Sequence, residues 1–381
     1  MSDTGRFRAS FFFRMNMAKT FLSFFIIGFI LNAQTKSFDV IGIKYYLNEN
    51  TTAYNFINDL DSLLNYNINT IFVNPYNADK TFYNSSITKK YSNFNLEAIL
   101  DSIKARNIKL GLILPVFFDS SKKDSTDLLA ENSAGLKSNI TWQVMICPSA
   151  KRYKNYKLEL IKESIEKLKP EYLILDFIRF PVHWEEIDIS KETVKFDDYC
   201  YCKNCQSTFL LFIKEKYGKN YYNINFIETI KKYKSDWYDW RATLITNFVQ
   251  EVRNFTAPNI KIIINTIPWY NDFSDNALYK IAGQNLEELS MYSDYFSPMI
   301  YHKKINADFE NVKKILIDQS IHNPLLPAIQ VSKIDNEDYK LEDIISIINQ
   351  IKLQKCSKLI LFDYNRLKNN YSFDQFKRII K

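Results

Sequence analysis

The sequence predicts an α/β chain folded as a (β/α)8 TIM barrel with insertions after the third and fourth strands. Three observations carry this expectation. From residue 39 onward an apolar, β-branched run alternates with an amphipathic helical stretch, and eight such runs can be counted. The runs are continuously apolar rather than alternating, as strands buried on both faces of a parallel sheet must be. Glycine is scarce, 7 of 381 residues, and neither GxGxxG nor GxxxxGK[ST] occurs, which argues against an open nucleotide-binding sheet.

The expected strands are Asp39–Tyr46, Thr70–Pro75, Lys109–Phe117, Tyr172–Phe180, Ile260–Pro268, Tyr295–Tyr301, Leu325–Val331 and Lys358–Asp363. Between them, Thr52–Leu64, Leu96–Arg106, Tyr156–Leu168, Phe309–Asp318 and Leu341–Leu353 carry apolar residues at helical spacing. A barrel of this kind takes about 250 residues, so roughly 90 must sit in insertions. Asp119–Arg152 and Pro181–Asn225 supply them, both on the face where barrel active sites are built. No linker or change of composition divides residues 35–381, which read as one domain.

Residues 1–34 read as an address. Arg6, Arg8, Arg14 and Lys19 precede the apolar run Phe21–Leu31, which ends in Asn32-Ala33-Gln34. A basic segment, an 11-residue apolar core and a small residue at the cut form a signal-peptide pattern, too short to span a bilayer. The mature protein is therefore expected to be secreted or periplasmic, without a stable membrane anchor. The net charge of +7 falls to +4 when this segment is set aside, and no basic block remains. Nucleic acid is not the implied partner.

The strand ends carry the candidate chemistry. Leu173-Ile-Leu-Asp176 places a carboxylate directly after an apolar strand, where it is costly unless hydrogen-bonded or paired. Arg179, three residues on, could hold it ionised and suit it to stabilise positive charge at an anomeric carbon; a structural ion pair is the competing reading. Asp363, at the end of the last strand, is the favoured second carboxyl, with Glu185 and Glu186 as alternatives. Lys44, Asn74, Asn265, Tyr301, His302 and Gln330 also follow or end strands, and His183, Trp184 and Trp269 lie on the same face. Aromatic rings can stack on sugar faces while amides and charged groups bind hydroxyls, so Arg179, His183, Trp184, Asn265, Trp269, Tyr301, His302 and Gln330 are the candidate carbohydrate-binding residues. Packing beneath long loops is the competing explanation for each. No GxSxG or HExxH string is present.

Four of the five cysteines, Cys147, Cys200, Cys202 and Cys205, fall in the two insertions, three of them as Cys-x-Cys-x2-Cys. Four thiolates in tetrahedral array make a closed structural zinc site. Two disulfides are the alternative for an exported chain, but the tight spacing favours zinc.

The string Asp176-Phe-Ile-Arg179-Phe-Pro181 resembles the Asp-x-Ile-Arg-[Tyr/Phe]-Pro motif of glycoside-hydrolase-like (β/α)8 families found in bacterial genomes. Cys147-Pro148-Ser149 with the following helix, the Asp198–Phe209 stretch and Trp237-Tyr-Asp-Trp240-Arg241 fit the same pattern. The cysteine set is similar to the zinc site of family 42 β-galactosidases. That family uses glutamates after strands four and seven, where this chain has Asp176 and Gln330, so the resemblance implies the barrel and the metal site but not the chemistry. The expectation is a secreted glycoside hydrolase acting on an oligo- or polysaccharide; a catalytically inactive carbohydrate-binding barrel is the alternative.

Overall fold

The computed structural model describes residues 38–139, 142–191, 193–218 and 225–380; the proposed signal segment lies outside them. Eight parallel strands close on themselves: β1 (Val40–Tyr45), β2 (Thr70–Val73), β3 (Lys109–Pro115), β4 (Tyr172–Asp176), β5 (Lys261–Thr266), β6 (Tyr295–Ile300), β7 (Ala328–Gln330) and β8 (Lys358–Phe362). Each strand neighbours the next, and β8 returns to β1 with Val40 opposite Lys358. This is the expected (β/α)8 barrel. Phe38–Ile380 form one compact unit.

The barrel interior explains two of the few glycines. Phe72 on β2 faces inward and is fully buried. A Cβ on Gly42 of β1 or Gly111 of β3 would meet its ring at 2.5 Å and 2.2 Å. The two flanking strands thus give up side chains so that one large ring can fill that layer.

Several strands are shorter than the apolar runs imply. The fourth stops at Asp176 because Phe177 adopts φ +50, in the left-handed region where an extended chain cannot continue. The seventh is reduced to Ala328–Gln330, with Leu325 joined only by an isolated bridge to Phe296.

Helices cover the outside. α1 (Ala53–Asn65) is capped by the Thr52 hydroxyl, which accepts from the Asn55 backbone N–H at 3.2 Å. α2 (Lys151–Leu168) follows the strand-three insertion. The strand-four insertion contains α3 (Lys203–Tyr217) before the barrel resumes with α4 (Lys234–Phe255). The two insertions are joined: Asn132 bridges Tyr199, and Tyr201 N–H donates to Glu131 C=O at 2.7 Å. Among the described residues no helix is long and apolar enough to cross a membrane.

Candidate active site

The carboxyl ends of the strands surround a cavity of about 420 Å3, within the usual range of small-ligand pockets. Its charged lining consists of Lys44 from β1, Asp176 from β4, and Arg179 and Glu185 from the chain that follows β4. Asp176 ends a strand in register with Pro115, so its position is fixed by the ladder. Its carboxylate accepts from the Phe177 backbone N–H at 3.0 Å. The left-handed turn at Phe177 lays that ring against Phe118, centroids 4.7 Å apart.

Arg179 is buried, and its guanidinium donates to the carbonyls of Val182 (2.9 Å) and Phe180 (3.3 Å). It forms no direct ion pair with Asp176. The Asp-x-x-Arg string is therefore a turn that the guanidinium fastens to its own backbone, leaving its charge to act through space on both carboxyls. Glu185 lies in the 3-10 turn Trp184–Glu186 and accepts from the Gln143 side chain at 3.2 Å. Burial pushes its carboxyl above the usual glutamate range; Arg179 pulls it down, and Asp176 pushes it further up. Burial likewise lowers Arg179, against the raising effects of Glu185 and Asp176.

Aromatic residues form the remaining walls. Trp184 and Tyr301 line the cavity with ring centroids 5.5 Å apart, and Tyr301 stacks on Phe362 at 4.6 Å. Trp142 is the exposed one of the five tryptophans, 59% accessible, and contacts Phe118 and Phe177 at the rim. Sequence reasoning missed Trp142 and Tyr46, both cavity-lining. Trp142 lies in an irregular insertion with no periodicity to mark it, and Tyr46 was absorbed into the expected first strand.

The other candidates are placed differently. Asp363 does not line the cavity: it caps the helix Tyr364–Asn370, accepting from the Arg366 N–H at 3.1 Å, and pairs with the Arg366 guanidinium. An aspartate three residues before an arginine at a helix start is the signal for that role. The side-chain amides of Asn265 and Gln330 are buried without hydrogen-bond partners, and neither residue lines the cavity. His302, pushed down to about 4 by burial, sits against Tyr339. Trp269 packs between Phe196 and Phe273. His183 begins the turn that carries Glu185, and burial lowers it too; neither histidine lines the cavity.

Where the two insertions meet, the sulfurs of Cys147, Cys200, Cys202 and Cys205 all lie within 4.8 Å of one another, buried and not disulfide-bonded. Cys147 Sγ is 3.3 Å from Cys205 Sγ and 3.5 Å from Cys202 Sγ. Tetrahedral bonds of about 2.3 Å place sulfurs ~3.8 Å apart, so the set fits a thiolate-binding metal ion. The Ser149 hydroxyl lies 3.2 Å from Cys205 Sγ, and Glu131 N–H donates to Cys200 Sγ at 3.4 Å, contacts that orient ligand sulfurs.

No family model and no curated protein matches the sequence. Solved structures do. The glycoside hydrolase domain of PgaB (BpsB) from Bordetella bronchiseptica matches with a TM-score of 0.68 at 9% identity, over 90% of this chain and 99% of that one. The chain shares the (β/α)8 barrel fold of that domain. The catalytic domain of β-amylase from Paenibacillus polymyxa gives a TM-score of 0.61 at 13% identity, over 90% of this chain and 97% of that one. Gan42B, a GH42 β-galactosidase from G. stearothermophilus, gives 0.63 at 14% identity, over 90% of this chain and 55% of that one. The chain thus spans about half the length of that β-galactosidase, and at these identities the likeness is one of fold.

Proposed function

We propose that the protein is a glycoside hydrolase acting on an oligo- or polysaccharide, with Asp176 and Glu185 as its carboxyl pair. The observation that carries this reading is that both face one aromatic-walled cavity, in an environment that favours the protonated form of Glu185. Glu185 then gives its proton to the glycosidic oxygen as the C–O bond breaks. The carboxylate of Asp176 meets the positive charge developing at the anomeric carbon, as nucleophile or through an activated water. Water supplies the hydroxyl of the new reducing end; its proton passes to the Glu185 carboxylate where Asp176 is the nucleophile, or to Asp176 where Asp176 activates the water, after which exchange with solvent returns both carboxyls to their starting forms. The barrel neighbours support a carbohydrate ligand through their own activities.

Zinc is the proposed occupant of the four-cysteine site, where it supplies structural rigidity and lies outside the proton transfers. It would tie the insertion carrying Gln143 to the one carrying Glu185. Residues 1–34 are proposed to direct export to the periplasm or beyond.

The test is hydrolysis of a glycan panel by purified mature protein, followed by Asp176→Asn and Glu185→Gln on any substrate found. Both should lose turnover by orders of magnitude while still binding. Near-normal turnover in either removes that residue from the pair, and binding without hydrolysis by the wild type makes the protein a carbohydrate-binding barrel.

A further inference from the structure

Of the four charged groups lining the cavity, three have hydrogen bonds to protein. Asp176 accepts from Phe177 N–H, Arg179 donates to two carbonyls and Glu185 accepts from Gln143. Lys44 has none. It is 1% exposed, at the end of β1, with its ammonium 5.6 Å from the centroid of the Phe362 ring. The other buried lysine, Lys157, shows what a structural solution looks like: it lies outside the cavity, with the rings of Tyr76, Tyr153 and Tyr156 at 4.6, 5.3 and 5.9 Å. A buried ammonium without such a cage is costly unless something brings it a negative charge.

The protein's own carboxylates do not take that place. Asp176 and Asp363 act on Lys44 only at a distance, opposing the downward push of burial, and neither forms an ion pair with it. Asp363 is already paired with Arg366. Of the two basic side chains lining the cavity, Arg179 is already held by two backbone carbonyls, which leaves Lys44 as the one without a polar contact. An unpartnered ammonium facing a cavity favours an anionic group on the ligand over a neutral or cationic one.

We propose that Lys44 anchors an oxyanion substituent, carboxylate or sulfate, on the sugar bound in this cavity, so that the substrate class is an acidic glycan. The inference rests on the glycoside-hydrolase reading and narrows it. The sugar would reach from the carboxyl pair beside β4 to Lys44 at the end of β1, and its acidic group would complete the charge-assisted contact that Lys44 lacks.

The experiment is calorimetric binding and hydrolysis with acidic oligosaccharides from pectate, alginate, hyaluronan and carrageenan. Each is run beside its carboxyl-reduced or desulfated counterpart. The wild type should bind one acidic series about tenfold or more tightly than its neutral counterpart. Whether carboxyl reduction or desulfation abolishes the preference identifies the anchored group. Lys44→Met should erase the preference, and Lys44→Arg should retain much of it. If the wild type binds or cleaves neutral counterparts equally well, the inference is overturned while the hydrolase reading stands. A preference that survives in Lys44→Met also overturns it. Binding to no glycan overturns both. The wild-type comparison remains decisive even if Lys44→Met does not fold.

Discussion

At the end of β4 both charged residues of the turn and the glutamate beyond it are held by the protein, whereas on β5, β6 and β7 the side chains of Asn265, Ser297 and Gln330 are buried without partners. Asp176, Arg179 and Glu185 each make hydrogen bonds, and the insertions after β3 and β4 bring four cysteine sulfurs together. Asn265 on β5, Ser297 opposite it on β6 and Gln330 on β7 are buried with unsatisfied side chains. The β4 side places charged groups at the cavity, while the buried polar groups of Asn265, Ser297 and Gln330 are neutral and lie off its lining. On the proposed reading the chemistry is asymmetric, with its acid and its charge stabiliser supplied by β4 and the insertion behind it. Neighbouring barrels of similar fold need not share that arrangement.

The largest expected break in this comparison is Glu185→Gln, which should lower kcat by about 10^2–10^4-fold, the usual scale for loss of a general acid. The loss should shrink on an activated aryl glycoside, whose leaving group needs little protonation. In the wild type the acid must be protonated, so activity is retained below the raised Glu185 pKa and falls as pH rises through it. The alkaline limb should lie above the ordinary glutamate value of about 4.3 and vanish in the Gln variant. The same sign applies to stability: the raised pKa favours the fold at low pH, and that advantage is lost as pH rises through it. A pH–rate profile unchanged by the substitution would transfer the acid's role to another group.

Next in size is the brace. Cys200→Ser, or metal removal by a strong chelator, should abolish metal binding by elemental analysis and lower Tm by about 5–10 °C, the effect of roughly 3 kcal/mol in a large domain. Turnover should fall with it, because Glu185 depends on Gln143 from the other insertion. Full activity and stability in the metal-free protein would separate the cysteine cluster from the active site.

A smaller effect tests the wall. Trp142→Ala removes an exposed ring that packs on the cavity-lining rings of Phe118 and Phe177, so stability should hardly change while KM rises about fivefold, the effect of ~1 kcal/mol. A fall in kcat alone would mean the ring positions loops rather than substrate.

These residues also mark how far the sequence could be read. The eight strands were legible because a doubly buried parallel strand must be continuously apolar, and Asp176 stood out by breaking such a run. The end of β4 was not, since nothing in Asp176-Phe-Ile-Arg179 announces a left-handed phenylalanine. The cysteine cluster was legible from spacing, because its ligands are local in sequence apart from Cys147. Pairing Asp176 with Glu185 rather than Asp363 needed the fold. Both acids follow strands that end at the mouth, but Asp363 is drawn away by its own helix N-terminus and Arg366, while Glu185 is turned inward on an insertion whose path only tertiary contacts define.

The finest test concerns the unpartnered side. Gln330 is 1% exposed, and both polar atoms of its amide lack hydrogen-bond partners. Leaving a buried amide unsatisfied costs about 1–3 kcal/mol, whereas an apolar group of similar shape carries no such cost. If the β7 end is only barrel filling, Gln330→Leu should leave kcat and KM unchanged and leave stability equal or raised by roughly 1 kcal/mol, seen as a higher urea midpoint at constant slope. If the amide instead contacts a bound sugar, the same variant should be no less stable but bind substrate several-fold more weakly. The two outcomes differ in the sign of the link between stability and affinity. Selective loss of binding in a well-folded Gln330→Leu protein would extend the site from β4 to β7.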